Sequence, residues 1–261
     1  MYDRKRFLFG FGSLLGAILF NSSALIQSKK SIKRSSEYDA LLLLFKRKEP
    51  VKWLFTGDSI TQGAKHTHGM RSYSEIYAER VRWEKGRVRD SVLNSAVSGN
   101  TSSDLLKDFD WRVSQYQPDV VFIMLGTNDA ADNKNLTVEE YVKNLSLCIS
   151  KVRLENAIPI LISPPTIIVE LAQERKRLFN YVKALIKMAE ENNVLYIDNY
   201  DYWSEALQDK YPNVVNQKFM NDALHPNGYG HQIIAQVIFK YLGIYDPNDP
   251  TCGGVYYEGK H

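Results

Sequence analysis

The chain has 261 residues, 44% apolar and 24% charged, with 15 Gly and 9 Pro. This is globular composition and excludes a disordered, collagen-like or coiled-coil chain, and two Cys are too few for a disulfide framework or a four-thiolate zinc site. The net charge of +3 is uneven: residues 1–50 hold ten Lys/Arg against four Asp/Glu, the rest carries a net −3, and no nucleic-acid footprint is visible there.

In chain order, Arg4, Lys5 and Arg6 form a basic start, and residues 7–20 are an uncharged apolar run. Ser22, Ser23 and Ala24 come next at plausible cleavage positions, and Lys29 and Lys30 after them. Residues 1–26 read as a signal peptide or an N-terminal membrane anchor, with a buried helix as the alternative. The rest would then be extracytoplasmic, secreted or membrane-anchored. Residues 27–50 are a polar, basic linker and then a short helix at 39–48, which carries basic residues in its last turn and ends before Pro50. That helix is expected to pack on the domain that begins at Val51.

From residue 51 to 245, short β-branched runs alternate with helical patterns. The predicted strands are 51–56, 92–97, 120–125, 158–163 and 194–197, and their near-continuous apolar character suits strands buried on both faces. Ser72 with Glu75, and Thr137 with Glu140, have the spacing of capping boxes. The helix after Thr137 places Val138, Tyr141, Leu145, Cys148, Ile149 and Val152 on one face. Residues 171–191 and 228–242 read as further amphipathic helices. Residues 80–89 are rich in Arg and read as a solvated helix face. Residues 246–261 read as a loop tail. A bridge between Cys148 and Cys252 stays open. Five strands alternating with helices predict one doubly wound α/β domain with a parallel sheet.

In such a sheet, ligands gather at the carboxyl ends of the strands. Gly57-Asp58-Ser59 comes after the first strand, Ser98-Gly99-Asn100 after the second, and Gly126-Thr127-Asn128-Asp129 after the third. Asp222 stands three residues before His225, just ahead of the last helix. Each group alone also reads as a turn or a helix cap. Together they supply the parts of an acyl-transfer site. Ser59 is the nucleophile, His225 the base and Asp222 its orienter, while the Ser59 and Gly99 backbone N–H groups and the Asn128 side chain are oxyanion donors.

The four blocks in this order resemble the SGNH or GDSL hydrolases, over about residues 51–242. Ser59 stands in GDSI, Gly99 in SGN, Asn128 in GTND and His225 in DALHP. Ile60 replaces a common Leu, a mild apolar change. The resemblance implies a flavodoxin-like three-layer α/β/α sandwich with a five-stranded parallel sheet. It also implies ester hydrolysis by a Ser-His-Asp mechanism without metal or organic cofactor.

The substrate is less legible. Residues 62–73 come directly after the nucleophile and are expected to border the site, with His66 and Arg71 as candidate substrate contacts. Trp83, Trp111 and Trp203 are candidate sugar-stacking faces or packing residues. No long apolar lid is visible. An exported or anchored member of the resembled family points to an acylated glycan, from which acetyl groups are removed, and to no nucleic-acid partner. A lysophospholipase or thioesterase, and a non-catalytic carbohydrate-binding module on the same fold, remain alternatives.

Overall fold

A computed structural model describes residues 36–255 apart from Ala64. The expected targeting segment at 1–26, linker residues 27–35 and the tail beyond 255 lie outside the described residues. Among the described residues no helix is long and apolar enough to cross a membrane.

Five strands form one sheet: β1 Lys52–Gly57, β2 Ser91–Asn94, β3 Val120–Met124, β4 Ile158–Ile162 and β5 Leu195–Ile197. Their order is β2-β1-β3-β4-β5 and every pair is parallel. Each expected strand is present within a few residues of its expected bounds. The sheet is a doubly wound α/β sheet, and its order reverses between β1 and β3, where such sheets place their crevice.

The helices are α1 Ser36–Lys46, α2 Ser59–Gln62, α3 Tyr73–Glu79, α4 Ser102–Lys107, α5 Phe109–Arg112, α6 Val138–Leu154, α7 Leu178–Glu191, α8 Asn199–Ser204, α9 Ala206–Lys210, α10 Val215–Phe219 and α11 Gly228–Tyr241. Because side chains alternate along a strand, each strand feeds two cores. Trp53, Phe55, Phe122, Ile160 and Ile197 face a layer that includes α3, α10 and α11. Leu54, Val121, Ile123 and Leu161 face α4 to α7. The first core is aromatic: Phe55 stacks on Phe122 at 4.4 Å, with Tyr73 and Tyr77 edge-on to Phe55. Large rings bury much area per residue, and such pairs add about 1 kcal/mol each beyond burial.

Both expected capping boxes form. The Thr137 N–H reaches Glu140 at 2.9 Å and the Glu140 N–H returns to Thr137 at 3.1 Å, and Ser72 N–H donates to Glu75 at 2.7 Å. Helix α1 packs on the domain, with Leu41 fully buried, Glu37 paired to Arg153 at 2.6 Å and Arg47 to Asp119 at 3.0 Å.

Two expectations change and one open question closes. The helix expected at 171–191 begins only at Leu178; before it come two 3-10 turns, separated by the buried Ala172. Residues 80–89 are a solvated face only in part: Trp83, Lys85, Val88 and Arg89 are exposed. The Arg80 side chain is wholly buried, and its guanidinium donates to the Ile244 carbonyl, Glu84 and Asp249. Arg87 donates to Asp90 at 2.7 Å and to carbonyls at the end of α1. Arg80 and Arg87 tie the 246–255 segment and α1 to the domain, while Lys85 and Arg89 stay exposed. Finally, Cys148 and Cys252 are free and buried in opposite cores, so the sheet separates them. Burial pushes the Cys148 thiol up to about 12.

Candidate active site

The end of β1 sets the site. A Cβ on Gly57 would stand 2.3 Å from Thr61 Oγ1 and 2.4 Å from the Met124 carbonyl oxygen. Only glycine lets β1, β3 and α2 approach this closely. Asp58 caps α2 by accepting the Ile60 N–H at 2.9 Å, and Ser59 is the first helical residue. Its N–H therefore has no carbonyl within its own helix to bond. Gly99 lies at φ +77°, a left-handed conformation that favours glycine. Among the described residues neither the Ser59 nor the Gly99 N–H has a hydrogen-bond partner. Asn128 stands in the turn after β3 and donates through Nδ2 to the Asn100 carbonyl at 3.0 Å, which orients its amide beside the Gly99 loop.

The other half of the site comes from the loop before α11. This loop is closed by a bridge between Met220 and Pro226 and by bonds from Asn221 N–H to the His225 carbonyl at 2.7 Å and from Asn227 N–H to the Phe219 carbonyl at 2.9 Å. Asn227 then caps α11 by accepting the Gly230 N–H at 3.0 Å. Within the loop, Asp222 Oδ1 accepts the Leu224 and His225 N–H groups, both at 2.8 Å. His225 Nδ1 lies 2.9 Å from each Asp222 oxygen, and His225 Nε2 lies 2.9 Å from Ser59 Oγ. Ser59, His225 and Asp222 thus form a continuous hydrogen-bonded chain across 166 residues of sequence. Partial burial favours the neutral acid of Asp222. The two amides and the His225 ring outweigh it and hold the carboxyl below its ordinary value, so it is a carboxylate at neutral pH.

Beneath the nucleophile lies a buried charge cluster that the motifs do not announce. The Arg112 side chain is fully buried. It donates to the Gly57 carbonyl at 2.6 Å, Thr56 Oγ1 at 3.0 Å, the Ser95 carbonyl at 3.1 Å and Asn100 Oδ1 at 2.7 Å. One side chain therefore joins the ends of β1 and β2 to the Gly99 loop. Asp58 is buried within reach of its charge, and Asp129 is buried beside Asp58. Burial pushes the Asp58 carboxyl up to about 7 and raises Asp129 as well, while it lowers Arg112. Asp58 and Asp129 come directly after Gly57 and Asn128, so their place is visible in the motifs, whereas no periodicity singles out Arg112.

The two expected substrate contacts separate. Arg71 pairs with Glu79 on α3 and lines a hollow along β2. His66 stacks on His225 with ring centroids 3.6 Å apart and planes 3° apart. His66, Asp222 and His225 bring ligating atoms within 4.8 Å of one another. Imidazole lone pairs lie in the ring plane, so two parallel stacked rings cannot both aim at one ion. Trp203 is buried in the core, and Trp83 and Trp111 are exposed.

Residues 55–233 match the model of the GDSL-like Lipase/Acylhydrolase family. The chain is 29% identical over 211 residues to an acetylxylan esterase of Geobacillus stearothermophilus, covering 74% of this chain and 94% of that one. It is 26% identical over 204 residues to thioesterase 1/protease 1/lysophospholipase L1 of Escherichia coli strain K12, covering 77% and 88%. A solved variant of an acetyl-xylooligosaccharide esterase from Geobacillus superposes with a TM-score of 0.60 at 27% identity, covering 76% of this chain and 97% of that one.

Proposed function

The chain belongs to the GDSL-like Lipase/Acylhydrolase family and is an ester hydrolase, and from that premise we propose that it removes acetyl groups from a carbohydrate by a Ser59-His225-Asp222 mechanism. The observation that carries the mechanism is the unbroken chain Ser59 Oγ, His225, Asp222, with every link at 2.9 Å. The Ser59 hydroxyl attacks the ester carbonyl as its proton passes to His225 Nε2. Asp222 accepts the His225 Nδ1–H, fixes the tautomer that leaves Nε2 basic, and stabilises the imidazolium that forms. The carbonyl oxygen becomes an oxyanion facing the Ser59 and Gly99 N–H groups and Asn128 Nδ2. His225 returns the proton to the departing alcohol, leaving an acyl-Ser59. Water, deprotonated by the same ring, then attacks the acyl carbon, and the acid and free serine are released.

Two observations support a polar, short-acyl substrate. One similar protein, matched over 94% of its own length, is an acetylxylan esterase. The hollow of about 520 Å³ beside the helix that carries Ser59, which neither Ser59 nor His225 lines, has a mostly polar wall of Lys65, Thr67, Ser72, Glu75 and Asn94 with Met70 and Ala96 among them. The similarity to a thioesterase and lysophospholipase supports a second reading, a lipid esterase. The basic start and apolar run of residues 1–26 support export or membrane anchoring, which fits a polymeric glycan outside the cell.

The test is a panel of model esters of rising chain length, run beside acetate release from acetylated polysaccharides. Acetyl esters and polymer deacetylation are expected to be preferred. A preference for chains of eight carbons or more moves the substrate to lipids. A fluorophosphonate probe is expected to label the wild type and not Ser59→Ala; labelling of neither would leave the fold as a binding module.

A further inference from the structure

His66 belongs to the loop after the nucleophile, not to the loop that carries Asp222 and His225, yet it meets both. Its ring lies flat on His225. Its Nδ1 is 3.3 Å from Asp222 Oδ2, the oxygen that accepts no backbone amide. The same Nδ1 is 2.9 Å from the side-chain amide of Asn221, whose other end meets His68 Nε2. Asn221 in turn bonds by its N–H to the His225 carbonyl at 2.7 Å. Two imidazoles of the 65–69 segment therefore clamp the pair Asn221 and Asp222, on the loop that carries His225.

Resting on the serine-hydrolase reading above, we propose that His66 is a positioning residue: it holds Asp222 and the His225 ring in register while neutral, and disables them on taking up a proton. The flat stack blocks one face of His225 and restricts its rotation about χ2. At 2.9 Å the Asn221 Nδ2–H donates to His66 Nδ1, so a neutral His66 carries its proton on Nε2 and braces Asn221, whose own N–H holds the His225 carbonyl, while Asp222 Oδ2 is left to His225. The other end of the amide, Asn221 Oδ1, accepts from His68 Nε2, which fixes this orientation. The groups facing His66 are Asp222 and His225 from the opposite loop, Lys65 and His68 from its own, and the buried His231 at the start of α11. Burial, and then the His225 ring, hold the His66 imidazole below its ordinary value, which keeps it neutral at pH 7. When protonated, it binds Asp222 in competition with His225. It also puts a positive charge beside the ring that must itself become an imidazolium in the transition state.

The experiment compares His66→Phe, which keeps a flat ring and drops the acceptor that Asn221 uses, with His66→Asn, which keeps an acceptor near the Nδ1 position and drops the ring. Rates are read on a model acetyl ester across pH. His66→Phe is expected to lose about tenfold in kcat with KM nearly unchanged. Its acid limb in kcat/KM is expected to move to higher pH by about half a unit, because no second cation forms beside His225, and to depend on a single proton. His66→Asn should regain part of kcat, because it still accepts from Asn221, while its limb moves as in His66→Phe. Wild-type kcat and an unmoved acid limb in both variants would overturn the proposal. Imidazole NMR of the full chain reads the same coupling without turnover, since the His66 and His225 resonances should titrate together in two steps; independent titration also overturns it. Ester turnover that persists in Ser59→Ala would instead strike the serine-hydrolase reading, and the NMR result stands apart from it.

Discussion

The two halves of the candidate site are built in opposite ways. The nucleophile half sits at the ends of β1, β2 and β3, with Asp58, Arg112 and Asp129 packed out of solvent beneath it. The base half is a surface loop: the Asp222 side chain is 42% exposed, and its partners are backbone amides and imidazoles, one of them from a second loop. One half is held by buried charges and main-chain geometry, which a protein can disturb only at the expense of its fold. The other is held by exposed hydrogen bonds, which are individually weak. Substitutions beneath the nucleophile should therefore register mainly in stability, and substitutions around the base mainly in rate and pH profile.

The largest effect expected is Asp222→Ala. Removing the orienting carboxylate of a serine-hydrolase triad costs about 10^4-fold in kcat. Its loss of two exposed backbone hydrogen bonds should lower the melting temperature by only a few degrees. A drop of roughly ten degrees or more, or activity within about tenfold of wild type, breaks the contrast from the base side. The next effect belongs to Arg112→Met. It fills similar space but strands the Gly57 and Ser95 carbonyls, Asn100 and the buried Asp58 without their donor or counter-charge. Leaving buried acceptors without their donor costs about 1–3 kcal/mol each, and several together amount to roughly ten degrees in melting temperature for a domain of this size. A melting curve within about two degrees of wild type would sink the idea that this residue ties the strand ends together.

The same division decides what the sequence can reveal. Ser59, Gly99 and Asn128 are legible because each stands just past an apolar strand run, and the α/β alternation says where strand ends gather. The expected parallel five-stranded sheet rests on the same runs. Arg112 is not legible. It stands at the end of a four-residue helix, next to the exposed Trp111, and only the tertiary fold turns it inward. Arg80 misleads for the related reason that an Arg-rich stretch normally faces water, whereas here Ile244 and Asp249, from far along the chain, supply its acceptors. His66 is legible as a residue near the site but not as a partner of the triad, because its contact with Asp222 joins loops that lie far apart in the chain. The helices α8 to α10 carry no signal of their own, being too short for a periodicity to form.

The smallest effect, and the one that sharpens the contrast most, is the pH dependence of folding. Asp58 has a folded-state value of about 7 against an ordinary 3.8, because burial penalises its charged form. A carboxyl raised in the folded state favours the protonated chain. Its contribution is fully present below the unfolded value and is lost as pH rises toward 7. Asp222 runs the other way: its folded value is lowered, so its contribution is present above the unfolded value and is lost on acidification. The nucleophile half should thus weaken toward alkaline pH and the base half toward acid. Asp58→Asn isolates the first, since Asn still caps α2 by accepting the Ile60 N–H. Between about pH 5 and pH 8 the wild type is expected to lose on the order of 2 kcal/mol of stability that Asp58→Asn does not. Denaturant melts of both proteins at the two pH values measure that difference directly. Equal slopes would mean that Asp58 stays ionised beneath the nucleophile, with Arg112 as a full counter-charge rather than a donor to neutral groups.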